Sequence, residues 1–362
     1  MRITSSQKYR RAALAGASVL VVGATTLVAL NTVSATNLSG DDPDPVLPTD
    51  CQIDTLPVPD DSSMSIVSAM DPTGTYIGGR SYPADPEADF FRQAIIWENE
   101  EKIEVDFPGL DQTIQDINSH GDAVGFSFEE TDSGYAAYSY AYLDGEVVEL
   151  EPDLNSRAEG INDDGTIVGT IEESDERHAV VFTDDGAQRL DVPDDTESSS
   201  VVDIDADGSI IGSVEIDDGT MGSVPYRWDA DGVPEELTLS DEVDGNLSLL
   251  IGMSDGWIAG YLVDDVDVYG TAMWAPGETE ATEVEFAGTN DLNSYGWLAG
   301  GQDNVGVVYA DGDIYELPSM HDDSEIIDRA DAISHDGTVI AGSVNWDLAE
   351  ETSLEAAVWN CE

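Results

Sequence analysis

The stretch GINDDGTIVG, residues 160–169, decides how this chain folds. It sets an apolar residue before Asn162, a glycine at 165, and an apolar–glycine pair at 168–169. The same pattern returns as AMDPTGTYIGG (69–79), DINSHGDAVG (116–125), DIDADGSIIG (203–212), GMSDGWIAG (252–260), DLNSYGWLAG (291–300) and AISHDGTVIAG (332–342). The first glycines fall at 74, 121, 165, 208, 256, 296 and 337, a period of 40–48 residues. A self-similar unit of that length marks a repeat architecture, in which each unit is one supersecondary element.

A second marker runs in phase with the first. Each unit carries an aromatic residue at the end of a β-rich run: Trp97, Tyr142, Phe182, Trp228, Trp274, Tyr309 and Trp359. A turn and one more short apolar run follow most of them, as in TDDG (183–186) and QRLDVP (188–193). Four short strands separated by turn signals, repeated every forty-odd residues, predict an all-β chain: a seven-bladed β-propeller of four-stranded antiparallel blades. The expected units lie near 62–109, 110–154, 155–195, 196–245, 246–288, 289–324 and 325–362. One ring per unit reads as core between blades. The first glycine reads as a positive-φ turn residue and the second as a point of close backbone approach near the axis.

The seventh unit stops after its third strand. Its missing fourth strand is matched at the other end of the chain by CQIDTLPVPDD (51–61), which resembles QRLDVPDD (188–195). The N-terminal strand is therefore expected to pair in the C-terminal blade and close the ring, which removes the sheet edges that an open stack would leave. Cys51 opens that strand and Cys361 follows the last aromatic, so the chain's two cysteines are expected to form a disulfide.

Charge bounds the function. The chain holds 12 Lys+Arg against 77 Asp+Glu, a net of −65, with 41% hydrophobic residues, enough for a core. Such a surface repels phosphate and argues against nucleic acid as a partner. Residues 1–35 read as a signal peptide: Arg2, Lys8, Arg10 and Arg11 precede an apolar run at 12–30, and Val33-Ser34-Ala35 offers a small-x-small cleavage site. The alternative is a membrane anchor through residues 12–30. Cleavage removes four basic residues and no acid, leaving 8 basic against 77 acidic groups, a net of −69. Residues 36–50 read as a flexible acidic linker and 51–362 as the propeller. A secreted monomer, with no membrane insertion after cleavage, is the expectation. Acidity of this degree also fits adaptation to high salt.

The run Ala-x-x-Ile-Asn-x-x-Gly-x-x-Val-Gly (158–169), followed by HAVVF at 178–182, resembles the HAF-type extracellular repeats of bacterial secreted proteins. The resemblance spans 51–362 and implies an extracellular propeller-like module with no defined activity. Only one unit has His before the Ala, and the third-strand ring is often Trp or Tyr where the family has Phe.

Catalytic signals are sparse. The four histidines, at 120, 178, 321 and 335, have no metal-ligand spacing, and no Gly-x-Ser-x-Gly elbow or phosphate loop occurs. DIDADG (203–208) sets Asp203, Asp205 and Asp207 at alternate positions like the start of a calcium loop, but Val214 stands where a bidentate Glu belongs. Calcium is carried as the one candidate cofactor, against an Asx-capped turn. The loops between second and third strands interleave acids with Tyr82, Phe91, Tyr135, Tyr138, Tyr269 and Trp346, a combination that suits sugar faces or cationic groups. The leading expectation is a non-enzymatic extracellular binding or scaffold module for a glycan, peptide or cell-envelope component. The alternative is a propeller-fold hydrolase or lyase acting on an extracellular polymer.

Overall fold

A computed structural model describes residues 45–362, except 86–90, 100, 132–133, 153, 175, 217–222, 244, 265–266, 321–325 and 348–353, and except the side chains of 326, 346 and 347. The expected signal peptide, the anchor alternative, most of the linker, His321 and the Trp346 side chain lie outside the described residues. Seven antiparallel sheets follow one another along the chain. Blade 3 shows the plan: Asn155–Ile161 innermost, then Ile167–Glu173, Glu176–Thr183 and Gly186–Arg189 outermost. Blade 7 is built from Ile326–Ile333, Val339–Asp347 and Glu355–Cys361, and its outermost strand is Cys51–Thr55.

Closure is visible in three independent ways. Cys51 lies directly opposite Cys361 in the strand register, their Cα atoms 4.0 Å apart, and the two form a disulfide. Leu56, at the end of the transplanted strand, is buried with Ala341, Ala356 and Val358 of blade 7 and with Val67, Ile77, Ile95 and Trp97 of blade 1. The indole Nε1 of Trp97 donates to the carbonyl of Pro57 at 2.7 Å. Each of the other six blade interfaces likewise has its own apolar cluster.

The third-strand rings explain the spacing of the second marker. Trp97, Trp228, Trp274 and Trp359 are fully buried between blades. Beyond filling space, each indole N–H bonds a backbone carbonyl in the exit segment of the preceding blade: Pro57, Asp191, Thr238 and Pro318. A buried indole needs such an acceptor, so these residues both pack and align adjacent blades. Tyr142 and Tyr309, at the same position, stay partly exposed.

The strand count exceeds the expected four per blade by one. After Pro234–Glu236 completes blade 4, buried Leu237 acts as a hinge and Thr238–Leu239 adds in parallel to the outer edge of blade 5. The sheet of blade 5 therefore has five strands. The segment EELTLS (235–240) is shared between two blades because Thr238 and Ser240 find acceptors at Thr279 and Ala281.

The two glycines of the motif do different work. All seven hairpin glycines have φ between +71° and +88°, a conformation that a Cβ disfavours. At the second glycine the close approach lies within the blade instead of between strands at the axis. A Cβ on Gly125, Gly169, Gly212 or Gly342 would stand 2.0–2.1 Å from the carbonyl oxygen of Thr113, Arg157, Ser200 or Arg329 on the innermost strand. That carbonyl lies two residues ahead of a bulge, and the bulges shape the center of the molecule.

Candidate functional site

Every innermost strand shifts register at the same place, skipping Ser68, Gln115, Glu159, Val202, Ile251, Asn290 or Asp331. A bulge re-aims one side chain and sharpens local twist. Repeated seven times, it creates a ring of side chains around the axis that is polar in five blades and apolar in blades 4 and 5. Members of this ring donate hydrogen bonds across the blade boundaries. Ser68 Oγ donates to the Ile114 carbonyl at 2.6 Å, Gln115 Nε2 to Glu159 Oε2 at 3.0 Å, and Asn290 Nδ2 to the Ala330 carbonyl at 2.8 Å.

The residue after each bulge forms a second layer with an alternating pattern: Ala69, Asp116, Gly160, Asp203, Gly252, Asp291, Ala332. Each aspartate accepts a backbone N–H from the next blade: Ile161 to Asp116 at 2.7 Å, Met253 to Asp203 at 2.9 Å, and Ile333 to Asp291 at 2.9 Å. The alternation has a steric reason, since a Cβ on Gly252 would already lie 3.4 Å from Asp203 Oδ2. A small residue in one blade makes room for the carboxylate of its neighbor. Seven is odd, so the pairing joins blades 2–3, 4–5 and 6–7 and leaves blade 1 with Ala69.

These three carboxylates come from non-adjacent blades yet feel one another. Burial raises Asp116 and Asp203 well above the ordinary 3.8; Asp291 adds to the rise at Asp116, and Asp116 adds to it at Asp203. Burial also pushes Asp291 up to about 6, while its backbone donors hold it down. All three residues are half-buried, not fully enclosed, and that exposure limits the effect. In the bulge ring, burial raises Glu159, against Gln115 and Arg157, and lifts Asp331 to about 6 against the Arg329 charge and the Ser343 hydroxyl.

Above the bulges, toward the end of the ring that carries the loops between second and third strands, stand three of the chain's few cations. Arg157 and Arg329 occupy equivalent positions two residues ahead of Glu159 and Asp331, opposite Thr170 and Ser343. Arg329 Nε pairs with Asp331 Oδ1 at 2.7 Å. Arg80 Nη1 donates to Thr113 Oγ1 at 3.3 Å, and Thr113 is the cross-strand partner of Phe126. The Arg157 guanidinium lies 4.7 Å above the Phe126 ring and 5.6 Å from Phe128. It is exposed and makes no ion pair among the described residues. By contrast, Arg92, Arg177, Arg189, Arg227 and Lys102 are all paired with carboxylates.

The predicted aromatic residues divide around this patch. Tyr82 lies under the Arg92 guanidinium at 5.7 Å. Phe91 and Tyr135 are 63% and 64% exposed. Tyr135 faces Glu130 across the strand pair, on the same side as Phe126 and Phe128. Tyr138 alternates to the other side and packs into the core between blades 1 and 2, and Tyr269 packs against the core between blades 4 and 5. Tyr82, Phe91 and Tyr135 thus lie on the surface of blades 1 and 2, the blades that carry Arg80, Phe126 and Phe128, whereas Tyr138 and Tyr269 serve packing.

Asp203, Asp205 and Asp207 engage three separate sets of donors. Asp203 accepts from Ile204 and Met253, Asp205 from Ala206, Asp255 and Gly256, and Asp207 from Ser209. Among the described residues no group of three His, Cys, Asp or Glu side chains could hold a metal ion. Asp205 takes the place of Asn118, Asn162 and Asn293, whose amides cap their own hairpins and donate to a carbonyl of the next blade. His120 is exposed on its turn, and His335 reaches Ser254 Oγ at 3.3 Å, two blades away.

Arg80, Arg157, Arg329, Phe126 and Phe128 come together only in the fold, although Arg157 and Arg329 carry a signal in the sequence. RAEGI (157–161) and RADAI (329–333) are the same phrase in two repeats of a chain nearly devoid of cations. No protein-family model and no curated protein matches this sequence. Among solved structures, the β-propeller domain of the trilobed protease from Pyrococcus furiosus is similar at a TM-score of 0.53 and 13% identity, over 83% of this chain and 95% of that one. A puromycin-hydrolyzing peptidase from Mycobacterium tuberculosis is similar at 0.51 and 13%, over 83% of this chain. This chain spans about half the length of that peptidase, 52%. At such identities the likeness is one of fold: this chain is a seven-bladed β-propeller.

Proposed function

We propose that the protein is an exported HAF-type module that binds an acidic extracellular glycan at the arginine-bearing end of its channel. The observation that carries this reading is Arg157: an exposed guanidinium with no ion pair among the described residues, fixed over two phenylalanine rings, whereas Arg92, Lys102, Arg177, Arg189, Arg227 and Arg329 each pair with a carboxylate. Stacking preorganizes the fork of N–H donors, and bidentate binding of a carboxylate is what such a fork suits. Arg80 and the exposed rings of Phe91 and Tyr135 extend the surface with groups that suit the faces of sugars. The disulfide and the run at 12–30 support an extracellular location.

Binding of residues 36–362 to a glycan array in 0.5 M NaCl, with and without calcium, tests the reading, because salt at that level screens the global negative field. Uronate-bearing glycans should be retained, and Arg157→Ala should weaken the strongest of them about tenfold, the worth of one charge-assisted hydrogen bond. Retention unchanged by Arg157→Ala would remove the proposed site.

A second reading, hydrolysis or cleavage of an extracellular polymer, draws support from the peptidases among the similar structures. The buried acids Glu159 and Asp331, raised toward neutrality beside arginines, are the groups that would serve as proton donors. Release of shortened products from a bound glycan or peptide, lost in Glu159→Gln, would favor it over simple binding.

A further inference from the structure

Between blades 3 and 4, away from the channel, lies a cleft of about 280 Å³. Leu190, Val192 and Pro193 give it an apolar wall, and Glu176, Asp194 and Glu197 supply carboxylates. Two features set it apart from the acidic surface at large. The Thr196 hydroxyl borders the cleft, is shielded from solvent and has no hydrogen-bond partner among the described residues, a state that costs free energy until a ligand supplies one. The lining guanidinium, Arg189, is neutralized by Glu173, and burial together with Arg189 lowers the pKa of the His178 imidazole, which disfavors a positive charge there. Asp194 and Glu197 make no ion pair among the described residues. The cleft therefore combines uncompensated negative charge, a free acceptor and an apolar wall.

We infer that this cleft is a binding site for an alkylammonium group, the methylene stem lying along Leu190, Val192 and Pro193 and the ammonium bonding to Thr196 Oγ1 and the carboxylates. An ammonium has three donors and no acceptor, matching an acceptor-rich site, and its stem buries apolar surface while the head stays paired. A lysyl side chain of a partner protein and a free polyamine share this chemistry. The site is independent of the arginine patch on blades 1–3.

The test is titration of cadaverine and of N-acetyl-lysine methylamide into residues 36–362 in 0.5 M NaCl, followed by amide chemical shifts and by calorimetry. Shifts should concentrate at residues 176–199. Thr196→Val, which changes no charge, and Asp194→Asn, on the exposed rim, should each weaken binding about tenfold, while Asp231→Asn on a distant turn of blade 4 should leave it unchanged. Binding of both compounds identifies a lysyl-type ligand, and binding of cadaverine alone identifies a polyamine. Absence of binding, equal affinity in all three variants, or shifts spread over the whole acidic surface would overturn the inference.

Discussion

A chain lacking residues 51–59 should fail to form a stable monomer. The deletion removes the five-residue ladder from Cys51–Thr55 to the third strand of blade 7, the acceptor of Trp97 Nε1 at Pro57, and Leu56 from the interface between blades 7 and 1. It also leaves the row of N–H and C=O groups on Glu355–Cys361 unpaired, a template for edge association. The disulfide alone closes a loop with a sequence separation of 310. By chain entropy that is worth at most about 5–6 kcal/mol, so Cys361→Ser should lower stability by a few kcal/mol yet leave a monomer. Size-exclusion chromatography with light scattering, together with thermal unfolding, separates the two variants. Propellers need not close in this way: the trilobed-protease domain has an open velcro topology. A monomeric, cooperatively melting deletion variant would place this chain in that class and assign the terminal strand a minor role.

Much of this architecture is legible in the sequence because repetition multiplies weak signals. One copy of Asn-x-x-Gly is a turn; seven copies in phase with an aromatic residue specify blades, and CQIDTLPVP is recognized as a fourth strand only by comparison with QRLDVP. The central layers were harder to read for a physical reason. A bulge has no residue signature of its own, and it is the bulge that turns Glu159 and Asp331 to the axis and sets Asp116, Asp203 and Asp291 against neighboring blades. The acids of DIDADG suggest a calcium loop when read within one repeat. Their partners at Met253, Asp255 and Gly256 lie in the next blade, some fifty residues on. Contacts between repeats are invisible to a reading that treats each repeat alone. The aromatic candidates divide for a similar reason, since the two-residue period of one strand sends Tyr135 and Tyr138 to opposite sides.

The axial carboxylates should make this protein more stable in mild acid than at pH 8. Asp291 and Asp331 titrate near 6 in the folded ring against an ordinary 3.8, and Asp116, Asp203, Asp205 and Glu159 are also raised, burial being the main cause throughout. Between pH 4 and 6, and up to about 7 for Asp116, the folded state therefore holds protons that the unfolded chain has released, and the raised Asp203 adds to the effect in the same direction. Stability falls with rising pH wherever the folded state binds more protons, so it declines across this window and levels off above the highest folded pKa. Arg157 and Arg329 temper the effect at Glu159 and Asp331, and partial exposure tempers it at Asp116, Asp203 and Asp291. Surface repulsion from a net charge of −65 works in the same direction and must be separated. In 1 M NaCl the Debye length is about 3 Å, which suppresses the surface contribution more than that of the axial layer. Under those conditions the melting temperature should be higher at pH 5.5 than at pH 8 by on the order of 5 °C, since one pKa unit corresponds to about 1.4 kcal/mol and each kcal/mol to a few degrees in a chain of this size. Asp291→Asn should melt with a visibly shallower dependence on pH, because it removes one titrating group while retaining an oxygen to accept the Ile333 amide. A melting temperature that is flat in high salt, or that rises with pH, would mean that the axial carboxylates are ionized and fully hydrated in the folded ring, with their backbone donors outweighing the cost of burial.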